Sequence, residues 1–208
     1  MAARERSVRH RVVVADLLMA VMDSPSVWAA AAGDRAAGLA WRDAVTDRMV
    51  ASDRYQPYET LVAEAAARLG LPPRATGALW DGWHRMAPWP DAPALATLGR
   101  PLAFVSNASS RLAEIAADRS GLAPRLVLSA EEAGAFKPAP VVYQTACRRL
   151  GVRTDEVLYV AGAPYDAAGA HAVGFATALV LRRPGLPGVD GPWRTITTLE
   201  ALQPTTFG

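Results

Sequence analysis

Five short runs of apolar, often β-branched residues punctuate the chain. They are residues 10–15 (HRVVVA), 101–105 (PLAFV), 125–128 (RLVL), 156–161 (EVLYVA) and 176–181 (ATALVL). Most of their positions are apolar rather than every second one, which is the pattern of strands buried on both faces of a parallel sheet. Helical spacing fills the intervals at 109–120, 138–150 and 165–173. Strands alternating with helices predict βαβ units and a doubly wound α/β sheet, and such sheets place their sites at the carboxyl ends of the strands.

Residues 24–90 break that rhythm. The segment is rich in alanine and tryptophan, shows helical patterns at 27–49, 58–69 and 73–86, and ends in the stiff string Ala87-Pro88-Trp89-Pro90-Asp91-Ala92-Pro93. It reads as a helical insertion after the first strand, so that residues 1–23 and 91–208 make one α/β domain and residues 24–90 a small helical one. A chain of 208 residues, 51% hydrophobic, is long enough for one core and such a lobe.

Composition removes several classes of function. The apolar stretch 157–181 is interrupted by Pro164, Asp166, His171 and glycines, which argues against a membrane span. Residues 1–11 carry four arginines, but only residues 12–15 follow before Asp16, too short for a signal-peptide core. The sole cysteine, Cys147, excludes a disulfide framework and a cysteine-based metal site and fits a reducing cytoplasm. Net charge is +2 with arginines spread along the chain, a poor footprint for nucleic acid. The pairs Arg148-Arg149 and Arg182-Arg183 read as solvated element ends. Of the 22 basic residues, 21 are arginine and one is Lys137. Lysine is a compact charge with a tunable pKa, so its single use points to a position where the arginine fork does not serve.

Four polar positions fall at the predicted strand ends. Asp16 closes the first strand, either as a nucleophile facing the crevice or as a cap on the next turn. Ser106-Asn107-Ala108-Ser109 follows the second and opens a helix, either as an anion site or as an N-cap. Lys137-Pro138 precedes a further helix, where the lysine can keep a neighbouring aspartate ionised. Tyr143, inside that helix, either reaches the crevice or packs on the sheet. Asp166 lies after the fourth strand, next to Tyr165, and can pair with Lys137, orient water, bind a metal or cap a helix.

Taken in order, these residues resemble the haloacid dehalogenase superfamily, and most closely its 2-haloacid dehalogenase branch. The resemblance runs nearly end to end through VVVADLLMAVMDS, FVSNAS, FKPAPVVY and VLYVAGAPYDAAGAHAVGF. It implies a Rossmann-like core with a cap and a small-molecule hydrolase. In that chemistry Asp16 attacks the substrate α-carbon, and water hydrolyses the resulting ester. Ser106, Lys137 and Asp166 would be the other catalytic residues. Arg42 and Asn107 would receive the leaving group, with Tyr58 as an aromatic wall and Tyr143, Leu18 and Tyr165 completing the substrate pocket. No cofactor or metal is implied, and relatives suggest a homodimer.

The departures shape the expected chemistry. Phosphatases of the superfamily carry a second aspartate two residues after the nucleophile and use magnesium; Leu18 stands there, which argues against both. The Gly-Thr usual after the nucleophile is Met19-Ala20, and the serine and asparagine usual in the last loop are Ala161 and Ala163. Each lost buried partner costs about 1–3 kcal/mol, so the pocket is expected to be retuned. Its electrophile would be a 2-halo acid or a strained ring such as an azetidine carboxylate. The alternative is a scaffold that kept the fold and lost catalysis.

Overall fold

The computed structural model describes residues 10–183 and 189–202. The N-terminal residues up to Arg9, and with them most of the arginine-rich stretch, lie outside that range. The predicted strands form at β1 (Val12–Asp16), β2 (Leu102–Ser106), β3 (Leu126–Ser129), β4 (Val157–Ala161) and β5 (Ala176–Val180), joined by a short β6 (Arg194–Ile196). All pair in parallel in one sheet of order β3-β2-β1-β4-β5-β6. From β1 the chain winds outward one way through β2 and β3, then returns to β4 on the other side. The topological switch point therefore lies between β1 and β4, where the two strand ends open a crevice.

Period-two geometry divides each strand between two cores. Val13 and Ala15 of β1 and Phe104 of β2 face one side, while Val12, Val14, Ala103 and Val105 face the other. The second side is covered by α8 (Pro140–Leu150) and α9 (Pro164–Ala172), which bring Val142, Tyr143, Ala146 and Ala170 onto the sheet. The first side packs α6 (Ser110–Arg119) through Leu112, Ala113 and Ala116. The apolar stretch 157–181 is thus β4, α9 and β5, and among the described residues no helix is long and apolar enough to cross a membrane.

Between β1 and β2 the insertion holds α1 (Ser24–Ala32), α2 (Arg35–Val50), α3 (Tyr58–Arg68) and α4 (Ala75–Trp83). The spacing over 27–49 predicts one helix, but two form. Gly33 takes a left-handed φ of 78° that ends α1, and Asp34 restarts the chain by accepting the Ala37 N–H at 2.8 Å. Trp28 and Trp41 meet edge to face at 4.8 Å, and the Trp41 indole donates to Val62 O at 2.9 Å, so Trp41 buries its ring without stranding a donor.

The insertion is fastened to the sheet layer at several points. Trp83 Nε1 donates to Leu112 O at 3.0 Å, Ser109 Oγ donates to Glu59 at 2.7 Å, and Tyr55 N–H donates to Gly134 O at 2.9 Å. Its two connections run side by side, bridged antiparallel at Met22 and Pro88. Arg182 and Arg183 correct an expectation, since neither is a solvated end. The Arg182 side chain is 6% exposed and forms a two-pronged pair with Asp91 at 2.8 Å. Arg183 pairs with Asp43 on α2 at 3.0 Å.

Candidate active site

β1 is stiff, buried valine up to Ala15, and it delivers Asp16 to the crevice at its carboxyl end. There the backbone turns at once into a wide single turn, Leu17–Val21, closed by Met22 N–H on Leu17 O. Asp16 Oδ2 accepts the amides of Met19 and Ala20 at 2.9 and 3.1 Å, while Oδ1 faces Lys137 Nζ at 2.6 Å. The cap role open to Asp16 in the sequence is therefore filled by one oxygen, while the other oxygen is paired with the lysine.

Lys137 is 1% exposed and lies beneath the crevice rather than in it. Its ammonium also reaches Asp166 Oδ2 at 2.8 Å, Tyr159 Oη at 3.3 Å and Val105 O at 3.4 Å. Burial opposes charging this lysine, but Asp16 and Asp166 outweigh it and hold its pKa above the ordinary value. A permanently charged ammonium between two carboxylates is a fixed counter-charge and not a proton donor. The compact ammonium faces these four acceptors in different directions, which a planar arginine fork does not match.

Asp166 is buried too, and it receives Tyr143 Oη at 2.8 Å and Tyr159 Oη at 2.9 Å on Oδ1. Burial, and then repulsion from Asp16, push its pKa above the usual carboxylate range against the pull of Lys137. Helix α9 begins at Pro164, so Asp166 sits in its first turn without capping it. Gly162 makes the approach of this loop to Asp16 feasible. A Cβ there would lie 2.4 Å from Met19 Cβ and 2.6 Å from both Ala20 N and Asp16 Oδ2.

A narrow cavity of about 40 Å³ opens onto Asp16, between the sheet edge and the insertion. Leu18, Arg42, Tyr58, Asn107, Tyr165 and Asp166 all line it, together with Ser24, Trp28, Thr46 and Met49. The insertion thus supplies most of the roof, with Arg42 as a cation whose neighbours are Asp43 at 3.2 Å and, through Asp43, Arg183. Burial pushes the Tyr165 phenol up to about 12, so it stands there as a neutral hydroxyl.

Besides Lys137, two predicted site residues do not reach this cavity wall. Ser106 is fully buried at the end of β2, where its Oγ accepts the Ala108 N–H at 3.1 Å. Tyr143 is spent on Asp166 and packs against Tyr159 and Phe175. Asn107 lines the cavity and also braces the lysine loop. Its Oδ1 accepts Lys137 N–H at 2.7 Å and its Nδ2 donates to Lys137 O at 3.3 Å, which uses one of its two amide protons.

Sequence reasoning missed Tyr159. It sits in the middle of an apolar run, and nothing marks it until the sheet registers it beside Val14, on the face that looks toward α8 and α9. Its hydroxyl supplies a partner to both Lys137 and Asp166, so the alanines at 161 and 163 leave the lysine fully partnered. Among the described residues no group of three or more His, Cys, Asp or Glu side chains is placed to hold a metal ion.

Comparison with known proteins follows the same lines. The haloacid dehalogenase-like hydrolase family model matches residues 78–174. The chain is 36% identical to (S)-2-haloacid dehalogenase 1 of Pseudomonas sp. (strain CBS-3) over 110 residues, 50% of this chain and 48% of that one. With the (S)-2-haloacid dehalogenase of Pseudomonas sp. (strain YL) it shares 31% over 143 residues, 64% of this chain and 61% of the other. These matches span between about half and three fifths of the relatives' lengths. Against the crystal structure of an L-2-haloacid dehalogenase at 28% identity the TM-score is 0.79, covering 92% of this chain and 96% of that one. The sheet order, the sequence of strand-end residues and these likenesses agree, and together they make the chain similar to the haloacid dehalogenase-like hydrolases.

Proposed function

We propose that the protein hydrolyses a small 2-substituted carboxylic acid, a 2-halo acid foremost, by way of an ester on Asp16. The observation that carries this reading is a carboxylate paired with a buried lysine at 2.6 Å, facing a narrow cavity, with Leu18 where a phosphatase needs its second aspartate. An Asp16 oxygen attacks the α-carbon, the carbon–halogen bond breaks, and halide leaves toward Arg42 and the other amide proton of Asn107. Water then adds to the aspartyl carbonyl, and the C–O bond of the ester breaks to give the 2-hydroxy acid and regenerate Asp16. Asp166 borders the cavity and is more basic than an ordinary carboxylate, which suits it to take the proton of that water. The cavity has room for only a few waters, at about 10–15 Å³ each, and so favours short-chain acids.

The roof that encloses this chemistry is residues 24–90, which act as the cap domain over a core of residues 1–23 and 91–208. The chain works on small molecules in the cytoplasm and pairs as a homodimer in this reading.

The test is a single turnover of 2-chloropropionate in H₂¹⁸O with EDTA present, followed by mass spectrometry of product and protein. An ester pathway puts the label into Asp16 and unlabelled oxygen into the first product, and Asp16→Asn abolishes both. Label appearing in the product with none in the protein would defeat the ester, and turnover of phosphate esters that EDTA abolishes would defeat the whole assignment.

A further inference from the structure

The turn that follows Asp16 is gripped from outside the cavity by two side chains that the proposed reaction does not use. Trp89 Nε1 donates to Met19 O at 3.0 Å. The N–H of that same peptide unit, carried by Ala20, donates to Asp16 Oδ2 at 3.1 Å. Arg182 NH2 donates to the next carbonyl, Ala20 O, at 2.7 Å, and its guanidinium lies 5.0 Å from the Trp89 ring centre. Asp91, two residues beyond Trp89, clamps Arg182 with both oxygens and also accepts Leu199 N–H at 2.8 Å and Thr198 Oγ1 at 3.1 Å. Trp89 N–H is itself bonded to Val21 O at 2.9 Å. Gly162 comes so close to the turn that a Cβ there would lie 2.6 Å from Ala20 N. Ala20 has no hydroxyl to orient the carboxylate, so the backbone amides of Met19 and Ala20 do it; Trp89 holds the carbonyl of the Ala20 amide's own peptide unit, and Arg182 holds the next carbonyl along.

Resting on the reading of Asp16 as nucleophile, we propose that Trp89 and Arg182 are its positioning residues. They act through the Met19–Ala20–Val21 backbone and stand in for an orienting side chain next to the carboxylate. A donor on a peptide carbonyl polarises that peptide and strengthens its N–H as a donor, so Trp89 both places and sharpens the Ala20 amide. Arg182, its charge balanced by Asp91, adds a charge-assisted donor on the following peptide, in a site where its side chain is nearly water-free and its Nε has no partner among the described residues. Because Trp89 and Asp91 belong to the segment returning from α4, the nucleophile is indexed to the insertion that roofs it.

The test replaces Trp89 by Phe, which keeps an aromatic ring at the position and removes the indole N–H, with Trp80→Phe in α4 as a control for the lost ring area. NMR of the Ala20 amide reads the relay without substrate. Its proton moves upfield in Trp89→Phe and stays in place in Trp80→Phe. Kinetics read the consequence: kcat for 2-chloropropionate falls by roughly tenfold with KM within about twofold, short of the ~100-fold that a full ångström of misplacement costs. Arg182→Gln gives a larger fall of the same kind. An Ala20 proton that does not move, or one that moves while kcat holds, overturns the proposal. Wild-type protein inactive on halo acids would instead sink the nucleophile reading, and the amide shift alone would then decide whether the relay exists.

Discussion

Gly162 and Tyr159 show how single residues fix the charge centre. At Gly162 a methyl group would collide with a backbone nitrogen and with Asp16 itself, neither of which can swing aside. Gly162→Ala therefore pushes the loop after β4 away from the nucleophile. We expect it to lose most activity and about 1–3 kcal/mol of stability, while circular dichroism keeps the α/β signature. Unchanged kcat in this variant would mean that the loop is not tied to Asp16. Tyr159 acts through electrostatics. Its O–H donates to the ionised form of Asp166, so Tyr159→Phe raises the Asp166 pKa further above its ordinary value. If Asp166 must be ionised to take a proton from water, the acid limb of the pH–rate profile moves to higher pH. A limb that stays put would remove Asp166 from that role.

At the scale of elements, the chain's local chemistry decides boundaries that its hydrophobic pattern leaves open. Asp34 is exposed, touches neither core nor cavity, and exists to cap α2, so Asp34→Ala should cost about 1 kcal/mol in urea denaturation with activity retained. A much larger cost would show that the α1–α2 junction carries more than a cap. The five long strands and the three core helices were legible because burial on both faces leaves continuous apolar runs, and packing on one face leaves helical spacing. The break at Gly33-Asp34 was hidden because alanine-rich sequence on either side continues the same pattern. Strand β6 was hidden because three residues, two of them exposed, leave no run at all. Within the site, the polar residues at strand ends were legible by their order. The inward turn of Ser106 and Tyr143 and the role of Tyr159 depend on which face of the sheet each side chain takes, and only the register settles that.

For the whole molecule, the site's construction sets how the fold responds to alkali. Burial, reinforced by nearby carboxylates at Tyr143 and Tyr159, holds Tyr58, Tyr143 and Tyr159 above the ordinary tyrosine value of 10.0. Lys137 is held above its ordinary 10.5 by Asp16 and Asp166. The sign is the same for all four groups. A folded pKa above the unfolded one contributes stability that is complete below the unfolded value and is lost as pH rises toward the folded value. Losses from four groups in one window accumulate, so the unfolding temperature should be nearly level through neutral pH and fall steeply once pH passes about 10. Tyrosinate absorbance offers the decisive check, since these three of the chain's five tyrosines should ionise only as the fold is lost. Tyr159→Phe should flatten the alkaline fall by deleting one group that ionises more readily when unfolded. Tyrosinate from the buried three appearing near pH 10, with circular dichroism intact, would show that the phenols around Asp166 are open to solvent and that the closed charge centre argued for the site does not hold in solution.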